Sequence, residues 1–193
     1  MSGTRARTGV VIGKFYPPHL GHKYLIDTAA SQVERLTAII CARADQTIPG
    51  HLRAAWLREL HPDVTVLLID DVYPPDDSRL WAAKTIEWLG SAPDVVFTSE
   101  DYGDAYAHYL GCRHVLVDRA RRAVPISGTA IRQNPFKNWD YLTLPVRAYY
   151  ARRVCVVGAE SSGTTTLARA LAEHYRTVWT PEYGREYSEA KLA

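Results

Sequence analysis

Five short apolar runs punctuate the first 120 positions: GVVIG at 9–13, LTAIICA at 36–42, VTVLLID at 64–70, DVVFT at 94–98 and HVLVD at 114–118. Between them apolar residues recur at helical spacing, first as Tyr24, Leu25, Ala29 and Val33. The stretches HLRAAWLREL at 51–60, RLWAAKTIEWL at 79–89 and Tyr102 to Leu110 follow the same rule. Runs of Val, Ile and Leu that do not alternate with polar residues predict strands covered on both faces, which parallel strands with crossover helices are. The chain is therefore expected to form a doubly wound α/β sheet.

With 193 residues, 47% of them apolar, the chain can bury one full core and begin a second. A formal net charge of +2 excludes a polybasic tail and general nucleic-acid binding, so any basic site is local. Cys41, Cys112 and Cys155 are widely spaced and form no CxxC pair, which predicts free thiols in a reducing cytosol. No apolar run reaches the roughly 20 residues that cross a bilayer, and Met1 to Thr8 carries no hydrophobic signal core. A cytoplasmic protein without membrane or nucleic-acid partners is expected, and the sequence admits a homo-oligomer.

The segment NPFKNWDYLTLPVRAYYARR, with two prolines and no long apolar period, reads as a boundary. A fresh strand, RRVCVVG, then a glycine-rich turn and the helix LARALAEHY follow it, as in the opening unit of a second α/β domain.

The first concentration of chemistry is GKFYPPHLGHKYLI, from Gly13 to Ile26. Pro17 and Pro18 fix an extended turn after the strand, so the next helix starts beyond them and His19, Gly21 and His22 fall at its N-terminus. Free backbone N–H groups and the positive end of the helix dipole favour an anion there, and Lys14 and the two imidazoles add donors. Gly13 and Gly21 leave room for phosphate oxygens against the backbone. In an open α/β sheet the end of a strand is where ligands bind.

Gly13, Phe15, Pro17, His19, Gly21 and His22 spell GxFxPxHxGH, and Ile126, Ser127, Thr129 and Arg132 spell ISxTxxR. These two signatures, in this order, resemble those of the HxGH nucleotidylyltransferases. With ARADQTIPG and a trailing glycine-rich loop, the chain resembles more closely the NadR-type bifunctional proteins, which join a nicotinamide mononucleotide adenylyltransferase to a ribosylnicotinamide kinase. The resemblance implies a Rossmann-like adenylyltransferase domain over residues 1–145 and the N-terminal fragment of a P-loop kinase over 152–193.

It further implies that the 5′-phosphate of nicotinamide mononucleotide attacks the α-phosphorus of ATP, giving NAD and pyrophosphate. No protein nucleophile is needed; the protein aligns two anions and neutralises the leaving group. The implied catalytic residues are Lys14, His19, His22 and Arg132. Gly13, Phe15, Gly21, Ser127 and Thr129 are implied in ATP binding, Ser127 and Thr129 at the start of a helix. Mg²⁺ would bridge the phosphates through water and substrate oxygens, with no protein metal site. Another phosphate acceptor such as phosphopantetheine, or a non-catalytic NAD-sensing regulator, is the alternative. Only eight residues precede the first expected strand, too few for a helix-turn-helix.

Trp81 either stacks on a nicotinamide ring, as the family's tryptophans in this region do, or faces the core with Ala82 and Ile86. Asp70, Asp71, Asp76 and Asp77 read as a solvated proline-rich loop sooner than as metal ligands. Thr98, Ser99 and Glu100 end a strand on the ligand side, where position alone predicts a part for Ser99 and its neighbours in holding the adenosine of ATP. Arg119, Arg121 and Arg122 read either as an exposed face or, sooner, as a basic run that attracts phosphate.

The second concentration is GAESSGTT at 158–165. Gly158, Gly163 and Thr165 fit the pattern G-x-x-x-x-G-K-[ST], but Thr164 stands where the phosphate-reaching lysine belongs. The resemblance extends into PEYGREY at 181–187, where a ribosylnicotinamide site would begin. A kinase domain cut short is the expectation.

Overall fold

The computed structural model describes residues 5–181 together with Gly184 and Lys191. PEYGREY therefore lies, but for Pro181 and Gly184, outside the described residues. The chain divides into two compact units, Met1–Tyr150 and Ala151–Ala193.

The first unit alternates strand and helix: β1 (Ala6–Gly13), α1 (Leu20–Ala30), β2 (Val33–Ala42), α2 (Gly50–Leu60), β3 (Thr65–Asp70), α3 (Ser78–Leu89), β4 (Val95–Thr98), α4 (Gly103–Leu110) and β5 (Arg113–Leu116). The sheet runs in the order β3-β2-β1-β4-β5, and every pairing is parallel. The doubly wound α/β expectation is met. Because strand side chains alternate between faces, successive residues of one apolar run feed two cores. Val11, Ala38, Ile40 and Phe97 pack with Leu25, Ile26, Ala54 and Leu57 of α1 and α2. Val10, Ile39, Cys41 and Val96 pack with Ala82 of α3 and with Tyr106 and Leu110 of α4. On that second face the hydroxyls of Thr85 and Tyr106 meet at 2.6 Å, which satisfies two polar groups inside the core.

One expectation is corrected here and another narrowed. Val33 does not extend α1; the helix stops at a turn over Ser31 and Gln32, and Val33 opens β2 with its β-branched side chain buried. The division between the units falls inside the segment expected to hold it, and that segment is structured as far as Tyr150. After α5 (Gly128–Gln133), a 3₁₀ turn (Trp139–Tyr141) and α6 (Leu144–Tyr150) place Leu142 and Val146 in a third core with Ile48, Trp56, Ile126 and Ile131. A short helix with few anchors leaves no long apolar period to read.

In this strand order the chain reverses its winding between β1 and β4, so their carboxyl ends open a crevice there. The loops Lys14–His19 and Ser99–Tyr102 flank it.

The second unit holds α7 (Thr164–His174). The strand expected over RRVCVVG is absent: residues 152–158 have no regular structure, and Val154 and Val157 are over 80% exposed. A strand exists only through ladder bonds to a neighbour, and none is present among the described residues of this unit.

Candidate active site

A cavity of about 550 Å³, within the range of small-molecule sites, occupies the β1/β4 crevice. Gly13, Lys14, Phe15, His19, Gly21, His22, Trp81, Ser99, Ser127, Thr129 and Arg132 all line it. Every site residue expected in the first unit is thus brought to one space from four separate segments.

His19 is the N-cap of α1: its Nδ1 accepts the backbone N–H of Gly21 at 3.1 Å and of His22 at 3.3 Å. With Nδ1 an acceptor, the neutral ring carries its proton on Nε2. The His22 ring stacks on it, centroids 3.8 Å apart, and Phe15 meets His22 edge-on. Burial, and after it the Arg121 charge, pushes His19 down to about 4. Burial drives His22 well below the usual imidazole range, and His19 adds to this. Both rings are therefore neutral donors, not the cations that their count suggests. His22 Nδ1 is buried without a hydrogen-bond partner among the described residues. Gly21 has a use beyond phosphate access, since a β-carbon there would lie 3.0 Å from the His19 ring.

Arg132, on α5, donates to the Tyr16 carbonyl at 2.5 Å and to Thr129 Oγ1 at 3.2 Å, with its guanidinium 4.3 Å from the Tyr16 ring centroid. Ser127 caps α5 by accepting from Ala130 N at 3.2 Å. The Ser127 and Thr129 hydroxyls thus build the helix start and aim Arg132. Gly128 permits the approach: a β-carbon there would lie 2.6 Å from the Tyr16 carbonyl oxygen.

Arg53 escaped the sequence reading. Wholly buried, it donates to the Lys14 carbonyl at 2.5 Å and to Gln46 Oε1 at 2.6 Å, and it lies 5.3 Å from the Tyr16 ring centroid. Tyr16 was missed with it; its hydroxyl meets Thr47 Oγ1 at 2.7 Å and accepts Thr47 N–H at 2.9 Å. A signal for Arg53 existed, since it shares a helical face with the buried Trp56 and Leu57 at i+3 and i+4.

The Trp81 ring packs against the α3/α4 core and beside Tyr73 and Trp88, its Nε1 donates to the Pro74 carbonyl at 2.9 Å, and it also lines the cavity. Asp77 caps α3, and of the four loop aspartates Asp71 alone lines the cavity. No group of three or more His, Cys, Asp or Glu side chains that could hold a metal occurs among the described residues. Arg119 pairs with Asp101 and Arg121 with Glu100; of the three arginines of that run only Arg121 lines the cavity.

In the second unit Gly163 takes a left-handed conformation at the N-cap of α7, and Thr164 and Thr165 begin the helix. Ser162 Oγ donates to the Ala159 carbonyl at 2.6 Å. A β-carbon on Gly158 would lie 2.6 Å from that hydroxyl, so the loop closes tightly. Gly158 to Gly163 thus form a tight turn that leads into α7.

The family model for cytidylyltransferase-like proteins matches residues 10–134, most of the first unit. The chain belongs to the cytidylyltransferase-like family. A model for an AAA domain matches residues 153–193. Across 93% of its length the chain is 38% identical to the trifunctional NAD biosynthesis/regulator protein NadR of Escherichia coli K12, and it spans 49% of that relative. A crystal structure of a NadR protein in complex with NR superposes with a TM-score of 0.78 at 25% identity, covering 98% of this chain and 57% of that one. Another, in complex with NAD and AMP-PNP, gives 0.75 at 25% identity over 97% and 59%. No helix among the described residues is long and apolar enough to cross a membrane.

Proposed function

We propose that this chain transfers AMP from ATP to nicotinamide mononucleotide, releasing pyrophosphate and forming NAD. One observation carries the reading: the stacked, neutral His19–His22 pair and Arg132 share a cavity that offers anions donors from β1–α1 and α5. The NAD and AMP-PNP bound by one similar protein support the same substrate class.

In this reading an oxygen of the mononucleotide phosphate attacks the α-phosphorus of ATP, the bond from that phosphorus to the bridging oxygen breaks, and pyrophosphate leaves. The acceptor is already ionised, so no side chain need remove a proton. His19 and His22 donate N–H groups to phosphate oxygens, and neutral rings do so without being protonated first. Lys14 adds a charge at the β1 end, and Arg132 presents a planar fork to the departing phosphates. Arg53 and Arg132 grip the Lys14 and Tyr16 carbonyls, so the loop that carries the donors is set before substrate arrives. A divalent cation such as Mg²⁺ would enter with ATP and would neutralise charge on its phosphates, held mainly by substrate oxygens, since the described residues offer no group of three or more His, Cys, Asp or Glu to ligate it.

The test is a coupled assay of pyrophosphate release across nicotinamide mononucleotide, nicotinate mononucleotide and phosphopantetheine. Turnover with a pyridine mononucleotide is expected. Turnover with phosphopantetheine alone would overturn the reading.

A further inference from the structure

We propose that Arg121 is an additional phosphate-binding residue of this site, paired with Glu100 in an ion pair that a phosphate chain exchanges. The proposal rests on the nucleotide-binding reading above.

The segment after β5 is built to present this side chain. The Asp118 carboxylate accepts backbone N–H groups from Arg122 at 2.7 Å, Ala123 at 3.1 Å and Val124 at 3.2 Å, while Arg121 N–H donates to the Asp118 carbonyl at 2.8 Å. Both Asp118 and Arg121 hold left-handed backbone, φ 46° and 50°, which side-chain-bearing residues rarely adopt without such support. The outcome of this turn is that Arg121 alone of Arg119, Arg121 and Arg122 reaches the cavity. It lies near enough to His19 and His22 for its charge to join burial in lowering both imidazoles.

In this state Arg121 Nη2 meets Glu100 Oε1 at 3.3 Å, with 47% and 55% of the two side chains exposed. Glu100 lines the same cavity from the β4 side. A single contact between half-exposed charges is among the weaker ion pairs. A phosphate chain offers several charged oxygens and a bidentate match to the guanidinium, which is the stronger bond. Glu100 thus acts as a competitor that triphosphate displaces, and Arg121 joins the histidines and Arg132 around the anion.

The test measures binding of inorganic tripolyphosphate by calorimetry, in competition with ATP, to the wild-type chain, Arg121→Ala, Glu100→Gln and the double variant. Arg121→Ala is expected to weaken binding about 10- to 100-fold. Glu100→Gln is expected to tighten it about two- to fivefold by removing the competitor, and the double variant to match Arg121→Ala. Unchanged binding in Arg121→Ala, a Glu100→Gln variant that binds no more tightly, or additive effects would overturn the proposal. No nicotinamide substrate takes part, so the two readings separate. A wild-type chain that binds tripolyphosphate through Arg121 yet releases no pyrophosphate overturns the proposed reaction alone. One that turns over yet binds ATP equally well with or without Arg121, or that turns over without binding tripolyphosphate, overturns this inference alone.

Discussion

One imidazole nitrogen decides both how α1 begins and what His19 can offer a phosphate. Nδ1 is committed to the Gly21 and His22 amides, so only Nε2 remains as a donor. Asparagine also caps helices well, whereas alanine does not. His19→Asn is therefore expected to keep most of the stability yet lose turnover about 10²- to 10³-fold, as for a lost transition-state donor, while His19→Ala loses both. His22→Ala is expected to lose turnover to a similar degree; near-wild-type rates in the asparagine and His22 variants would remove the histidines from the chemistry. The same burial makes stability depend on pH. His19 falls from 6.5 when unfolded to about 4 when folded. Between those values the unfolded chain binds a proton that the folded chain refuses, so stability is full above pH 6.5 and declines as pH falls toward 4. Urea titrations across that window should show the midpoint falling with pH, and a midpoint that rises would contradict the neutral pair.

At the scale of elements, the loop between β1 and α1 is positioned by contacts from α2 and α5 more than by its own bonds. Arg53→Met leaves the Lys14 carbonyl and Gln46 without their buried donor, so it is expected to lower turnover and destabilise by about 1–3 kcal/mol. Gly128→Ala places a methyl against the Tyr16 carbonyl and is expected to cost about 1–3 kcal/mol while displacing Arg132 from its contacts. Thermal unfolding alongside initial rates checks both, and wild-type behaviour would show that these contacts do not position the loop. The elements themselves were legible because buried parallel strands announce themselves as unbroken Val, Ile and Leu runs, and because GKFYPPHLGH combines strand, proline turn and helix start. Arg53 was overlooked although its place on the face of Trp56 and Leu57 marked it, since a charged side chain reads as solvated until its partners, the Lys14 carbonyl and Gln46, are known. Tyr16 acts through the Thr47 amide of a distant segment and Asp118 through the amides of its own turn, and backbone groups carry no side-chain pattern to read. RRVCVVG shows the reverse error: strand composition without a ladder partner yields extended, exposed chain.

For the whole molecule, the cytidylyltransferase-like unit holds a cavity lined from five segments, and the second unit offers a glycine-rich turn and α7. The chain spans about half the length of the curated relatives it matches. With Thr164 in the lysine position, this chain is expected not to phosphorylate ribosylnicotinamide, and Thr164→Lys alone is expected to restore nothing, because one charge does not supply the remaining parts of a phosphoryl-transfer site. Kinase turnover in either form would show that the threonine loop or its lysine variant is sufficient. The central claim, AMP transfer to a pyridine mononucleotide, is tested most directly by following ATP labelled at its α-phosphorus in the presence of nicotinamide mononucleotide. The account predicts label in NAD, matched one for one by pyrophosphate. Label that remains in ATP, or that emerges in ADP or free AMP without NAD, would contradict it.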